Sequence, residues 1–141
     1  MPVGNSVYPI YKQALMKACA TVSLNGTTTN GPFVALIDTG TYTYSTANTF
    51  YNPSLTGIIG TPQNITSPTV VGKLFDGCNV TFTAVTTATS IEALVIYRKN
   101  TGADTTWRLV LYEDTSVTGL PVTPNGGDIG ITFNASGILA L

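Results

Sequence analysis

Seven residues near the middle of the chain, Ile91–Tyr97 (IEALVIY), constrain the fold more than any others. In an extended backbone Ile91, Ala93, Val95 and Tyr97 share one face, and Leu94 and Ile96 share the other. A strand that is apolar on both faces is covered on both sides. It is therefore central in a sheet, or its second face meets another molecule. The rest of the chain must supply the covering layers.

Two further apolar runs follow within Ile91–Phe133, at Trp107–Tyr112 and Ile129–Phe133. In the first, Trp107, Leu109 and Leu111 alternate with Arg108, Val110 and Tyr112. The polar connector Arg98–Thr106 holds Gly102, so a hairpin between Ile91–Tyr97 and Trp107–Glu113 is the simplest connection. Leu120–Asp128 (LPVTPNGGD) holds two prolines, which cannot donate to a sheet ladder, so it runs along an edge or outside the sheet. The apolar chain end Ile138–Leu141 is expected to pair with the preceding strand or across a subunit boundary.

Upstream, Phe33–Ile37 is a short apolar run ended by Asp38 and reads as a buried strand. Val70, Val71, Leu74 and Phe75 read as one further run. Asp76-Gly77 is a turn signal. Asn79–Val85 then alternates, with Val80, Phe82 and Ala84 on one face, as a half-buried strand does. At the N-terminus, Tyr8, Tyr11, Leu15, Ala18 and Cys19 recur at three- and four-residue steps, which predicts one helix over Tyr8–Ala20, with Ser6 as its cap and Pro9 in its first turn. Residues 1–7 read as an arm with little structure of its own. The expected fold is mainly β, a single-domain β-sandwich of about seven or eight strands with one short N-terminal helix.

Residues 40–69 are the least regular part. Prolines and glycines are frequent there, yet so are aromatics and isoleucines, which disfavours disorder. We read this segment as a long structured loop that packs partly on its own domain and partly on a partner; a loop tucked onto its own sheet is the alternative. Its apolar residues Tyr42, Tyr44, Phe50, Tyr51, Leu55, Ile58 and Ile59 are the candidate partner or subunit interface.

Charge limits the possible partners. Only 9% of the 141 residues are charged, against about 25% in ordinary soluble proteins. A formal net charge of −1 offers no basic patch to nucleic acid or to acidic lipid. A free monomer with so little charge is poorly protected from association, so much of its surface is expected to be covered in use. No stretch approaches the ~20 apolar residues of a transmembrane helix, and the N-terminus does not read as a secretory leader. Cys19 and Cys78 read as two small buried thiols, with a single bridge between them as the other reading.

The chain has no histidine. This removes the commonest general base and metal ligand, and with it any Ser–His–Asp or Cys–His arrangement. Two cysteines are too few for structural zinc. Glu113-Asp114 place adjacent carboxylates on opposite strand faces, not in a shared pair. The glycines of PNGGD are turn residues, because no lysine and no helix follows them. We therefore expect no enzyme, no cofactor and no metal. The live classes are a structural protein and a binding module.

The segment Glu92–Tyr97, the strand ending at Tyr112-Glu113-Asp114, and the string TGLPVTPNGGDI (Thr118–Ile129) resemble a family of capsid decoration, or cement, proteins of tailed bacteriophages. The helix with Tyr11 and Leu15, the FVALID strand and the VTFTAV strand occur in the same order in that family. Residues 40–69 depart from it, being richer in Thr, Asn and Tyr and less acidic. The resemblance implies a jelly-roll-like sandwich that binds in many copies to the outer surface of an icosahedral shell. The implied partners are the major capsid protein and further copies of the chain, as a dimer or trimer. The alternative function is a tail-fibre or receptor-binding sandwich that binds host carbohydrate, with Tyr42, Tyr44, Tyr51 and Trp107 as its aromatic surface.

Overall fold

The computed structural model describes residues 5–17, 23–26, 29–115 and 117–141. In chain order the strands are Ser6–Val7 (β1), Pro32–Ile37 (β2), Ile58–Asn64 (β3), Thr69–Val71 (β4), Leu74–Asp76 (β5), Val80–Phe82 (β6), Ala93–Arg98 (β7), Arg108–Glu113 (β8), Ile129–Ile131 (β9) and Leu139–Ala140 (β10). One helix, Pro9–Met16 (α1), follows β1. The chain is thus mainly β, and every strand pairing is antiparallel.

The main sheet has five strands in the order β1-β8-β7-β2-β3. Strand β7 lies at its centre, and all six of its residues are buried. This is the position that its two apolar faces require. Phe33 pairs with Tyr97 and Val34 with Ile96 on one side of β7, and Ile96 with Leu111 on the other. The two smaller sheets are β10-β5-β4 and β6-β9. A single apolar core runs through all three sheets and α1. No helix among the described residues is long and apolar enough to cross a membrane.

Several expectations are corrected. Helix α1 is shorter than predicted, with residues 18–20 outside the described set. Its cap is Tyr8, whose side chain makes no capping bond. Ser6 instead belongs to β1, so the N-terminal arm contributes an edge strand opposite Tyr112 and Leu111. Val70–Phe75 is two strands rather than one run. The chain reverses at Gly72-Lys73, where Gly72 has φ +60°, a conformation open to glycine. The strand at Asn79–Val85 stops at Phe82, because Thr83 and Ala84 form a turn in which Ala84 has positive φ. The chain end pairs with β5, not with the strand before it. Cys78 is an exposed free thiol on the link from β5 to β6, and Cys19 lies outside the described residues.

The segment 40–69 is not one loop. It contains β3, β4's first residue and a helical turn at Tyr51–Ser54. Strand β3 pairs with β2 through a bulge between Val34 and Leu36. The bulge lets a strand interrupted by Gly60 and Pro62 follow a largely buried neighbour.

Candidate functional site

The segment between β2 and β3 crosses the aromatic face of the main sheet, and its start is fixed by Asp38. The Asp38 backbone carbonyl accepts from the amides of Thr41 at 3.1 Å and Tyr42 at 3.0 Å. Its carboxylate accepts from Thr89 Oγ1 at 2.7 Å, Gly40 N at 2.8 Å and Thr41 Oγ1 at 3.3 Å. The Thr89 bond, with the Gly40 and Thr41 bonds behind it, holds this carboxyl below its ordinary range.

Tyr42 turns inward from there and is only 3% exposed. Its hydroxyl donates to Asn48 Oδ1 at 2.7 Å and lies 2.7 Å from the Tyr8 hydroxyl. Since the Tyr42 proton goes to Asn48, Tyr8 is the donor to Tyr42. The same Asn48 oxygen accepts from Ser45 N at 3.1 Å, which folds the loop back on itself. Tyr44 packs its ring 5.1 Å from Tyr8 and 5.2 Å from Tyr112. Burial raises the phenols of Tyr8, Tyr42, Tyr44 and Tyr112. They stay neutral, so none serves as a base.

A second aromatic cluster sits farther along the same segment. Tyr51 N donates to the Trp107 carbonyl at 2.8 Å, and Leu109 N donates to Thr49 O at 3.0 Å. The Tyr51 ring lies 4.8 Å from Tyr97 and 5.2 Å from Trp107. Phe33 on β2, Tyr97 on β7 and Trp107 just before β8 form a row, with Tyr97 and Trp107 within 8° of parallel. The Lys99 ammonium lies 5.0 Å from the Phe33 ring centre and 5.1 Å from that of Trp107. The Arg108 guanidinium lies 5.3 Å from Phe50 in the same manner. Two of the few cations in the chain are thus placed over aromatic faces.

These contacts divide the predicted interface residues. Tyr42 and Leu55 belong to the core, which corrects the reading of both as surface groups. Each has its apolar part taken up by the chain's own sheet. Tyr44 and Tyr51 are half-buried, with one side packed on the core, and Phe50 is half-buried beneath the Arg108 guanidinium. Ile58 and Ile59 are half-buried in β3, opposite Ile37 and Leu36. Of the four aromatics considered for carbohydrate, Tyr42 and Tyr44 lie in the first cluster and Tyr51 and Trp107 in the second.

An open depression of about 390 Å³ lies beside the first cluster, lined by Thr39, Thr43, Tyr44, Tyr112, Glu92 and Asp114, with Tyr42 at its base. Glu92 accepts from Ser90 Oγ at 2.6 Å and from Thr39 N at 3.2 Å. Asp114 accepts from the Tyr112 hydroxyl at 3.2 Å and from Thr115 Oγ1 at 2.9 Å. Sequence reasoning missed Glu92 and Asp114 as neighbours. The available signal was Glu92 itself, a carboxylate inside the otherwise apolar run Ile91–Tyr97. Glu113 does point away from Asp114, into a cavity of about 130 Å³ lined by Asn5, Val117, Phe133 and Ile138. Burial there pushes its carboxyl up to about 7.

Among the described residues no group of three or more His, Cys, Asp or Glu side chains is placed to hold a metal ion. The surface offers half-open aromatic rings, hydroxyls and two carboxylates on a hydrogen-bonded frame. No protein-family model matches the chain, no curated protein matches it, and no solved structure matches it.

Proposed function

We propose that this chain is a structural virion protein without enzymatic activity, binding in many copies to the outer surface of an icosahedral phage capsid and bridging capsomers. The observation that carries the proposal is the segment after Asp38. It is held at Tyr42 and Leu55 by the core, and it presents the half-buried Tyr44, Phe50, Tyr51, Ile58 and Ile59. A surface of this kind is preorganised, so little ordering entropy is lost when it docks. Its apolar character and low charge suit a permanently covered protein. The resemblance carried by TGLPVTPNGGDI points to the same class, and with it to a jelly-roll-like sandwich. Weak contacts repeated by symmetry then hold a shell without any one strong site. The test is to add purified protein to capsids that lack it. Saturable binding and greater heat resistance of the shell are expected; absence of both sinks the proposal.

The depression at Tyr44, Tyr112, Glu92 and Asp114 favours a second reading, a receptor-binding module for host carbohydrate. Aromatic rings beside carboxylates suit the apolar faces and hydroxyls of a sugar. A glycan array separates the two readings, since binding to cell-surface sugars is expected only from the second.

A further inference from the structure

Both faces of the β4-β5-β10 sheet are apolar, and both are open at β4, where Val70 is 48% exposed. Val70, Phe75 and Leu139 lie opposite one another across its three strands. They line a groove with Tyr11, Leu15 and Leu24. The alternate row, Val71, Leu74 and Ala140, points the other way and is exposed, Val71 by 75%. Next to Ala140, Met16 and Leu141 line a second apolar depression with Leu15; Met16 is 83% exposed. Strand β4 is the outer strand and has no partner on its far side among the described residues.

The hydrogen-bonding pattern shows which backbone groups are left open. Val71 and Leu74 flank the two-residue turn Gly72-Lys73. In a two-residue hairpin the flanking pair is the hydrogen-bonded one, and successive pairs alternate. Val70 therefore directs its N–H and C=O away from β5, toward the open edge. Edge strands are normally guarded by charge, proline or a bulge. Thr69-Val70-Val71 has none of these.

We propose that β4 is a subunit interface, pairing antiparallel with β4 of a second copy of this chain about a two-fold axis at Val70. Antiparallel self-pairing lets the two Val70 residues exchange N–H···O=C bonds, which is the self-complementarity that a two-fold contact requires. The charges fit the same register. Lys73 marks one end of β4, and Asp76 lies opposite Thr69 at the other. Antiparallel pairing sends the two Lys73 turns to opposite ends of the interface, whereas parallel pairing brings lysine beside lysine. The exposed Val71–Leu74–Ala140 row then continues into its symmetry mate. This interface does not depend on capsid binding.

The test is the mass of the full chain in solution, by light scattering, from micromolar to near-millimolar concentration. The mass is expected to rise toward twice the 14.8 kDa of one chain. Exchange of the Val70 amide is expected to slow by about tenfold or more as the dimer forms. Val70→Pro removes the outward donor without removing a hairpin bond, and Val71→Lys charges the exposed row. Both are expected to remain monomeric with an unchanged circular dichroism spectrum; the second serves if the first fails to fold. A wild-type mass that stays at one chain overturns the proposal, as does a trimer, or a dimer that both variants retain. A monomer whose binding to shells is lost in Val71→Lys also overturns it, because the strand's partner is then another protein.

Discussion

The Tyr8 hydroxyl, at the start of α1, donates to the Tyr42 hydroxyl across 2.7 Å, joining two residues 34 positions apart. Tyr42 passes the direction on, donating to Asn48 Oδ1. The relay links the N-terminal helix, the sheet face and the segment that carries the proposed interface. All buried side-chain nitrogens and oxygens among the described residues have a partner, so the relay has no slack.

Tyr42→Phe leaves the buried Tyr8 proton without an acceptor and takes one donor from Asn48. Tyr8→Phe removes a donor only, and Tyr42 still reaches Asn48. A buried orphan costs about 1–3 kcal/mol, against about 1 kcal/mol for a bond removed without one. Urea denaturation is therefore expected to show a larger loss for Tyr42→Phe than for Tyr8→Phe. Equal losses contradict the assigned donor direction.

The main sheet was legible because β2, β7 and β8 are dense in buried apolar residues. Their pairing follows from covering β7 on both sides. Strand β3 was not legible: Gly60 and Pro62 interrupt it, and its pairing depends on backbone bonds beside a bulge, which leave no side-chain period. The turn at Gly72-Lys73 was missed because it lacks the Asn-Gly or Asp-Gly signal of a tight hairpin. Tyr42 and Leu55 show the limit for the site. An apolar residue in a loop has the same chemistry whether it will meet its own sheet or a partner's, and only the fold tells which. Glu92 and Asp114 come together because β7 and β8 are neighbours, which no spacing of 22 residues reveals.

The string TGLPVTPNGGDI makes a sharper prediction about its glycines. Gly119 has φ +107°, and an added Cβ would lie 2.4 Å from the Gly130 carbonyl oxygen, a backbone atom. Gly126 has φ +94°, with nothing within 4 Å of an added Cβ. Alanine at Gly126 meets only the backbone cost, about 1 kcal/mol, whereas alanine at Gly119 also displaces a neighbouring strand residue, for about 2–4 kcal/mol in all. Thermal unfolding of the two variants should rank them in that order. A Gly119→Ala protein as stable as Gly126→Ala contradicts the close approach.

Asp38→Asn tests the frame of the interface segment. The carboxylate accepts three bonds, led by Thr89, and its folded-state pKa is lowered. A lowered acid pKa adds stability above the unfolded value, which is lost as pH falls through the folded one. The wild-type advantage over Asp38→Asn is expected to be full at neutral pH and to decline as pH falls below about 4. Faster amide exchange at Thr41 and Tyr42 in the variant is the local readout. An advantage that stays constant as pH falls from about 5 to about 2 assigns the effect to something other than the carboxylate charge.

Glu113 runs in the opposite sense. Its carboxyl is buried near Val117, Phe133 and Ile138 and raised to about 7. The folded state therefore holds this proton more tightly than the unfolded chain does. Stability from this group is full below the unfolded value, near pH 4.3, and declines as pH rises through about 7. Glu113→Gln keeps the shape and removes the ionisation. Its melting temperature is expected to match wild type near pH 4 and to exceed it by a few degrees at pH 8, about 1 kcal/mol once partial exposure is discounted. The Asp38 gain is complete above its ordinary value and the Glu113 loss begins there, so the two carboxylates together favour mildly acid pH. A Glu113→Gln protein that melts with wild type at every pH shows that the carboxyl is hydrated in the fold, and the favoured range then broadens toward alkaline pH.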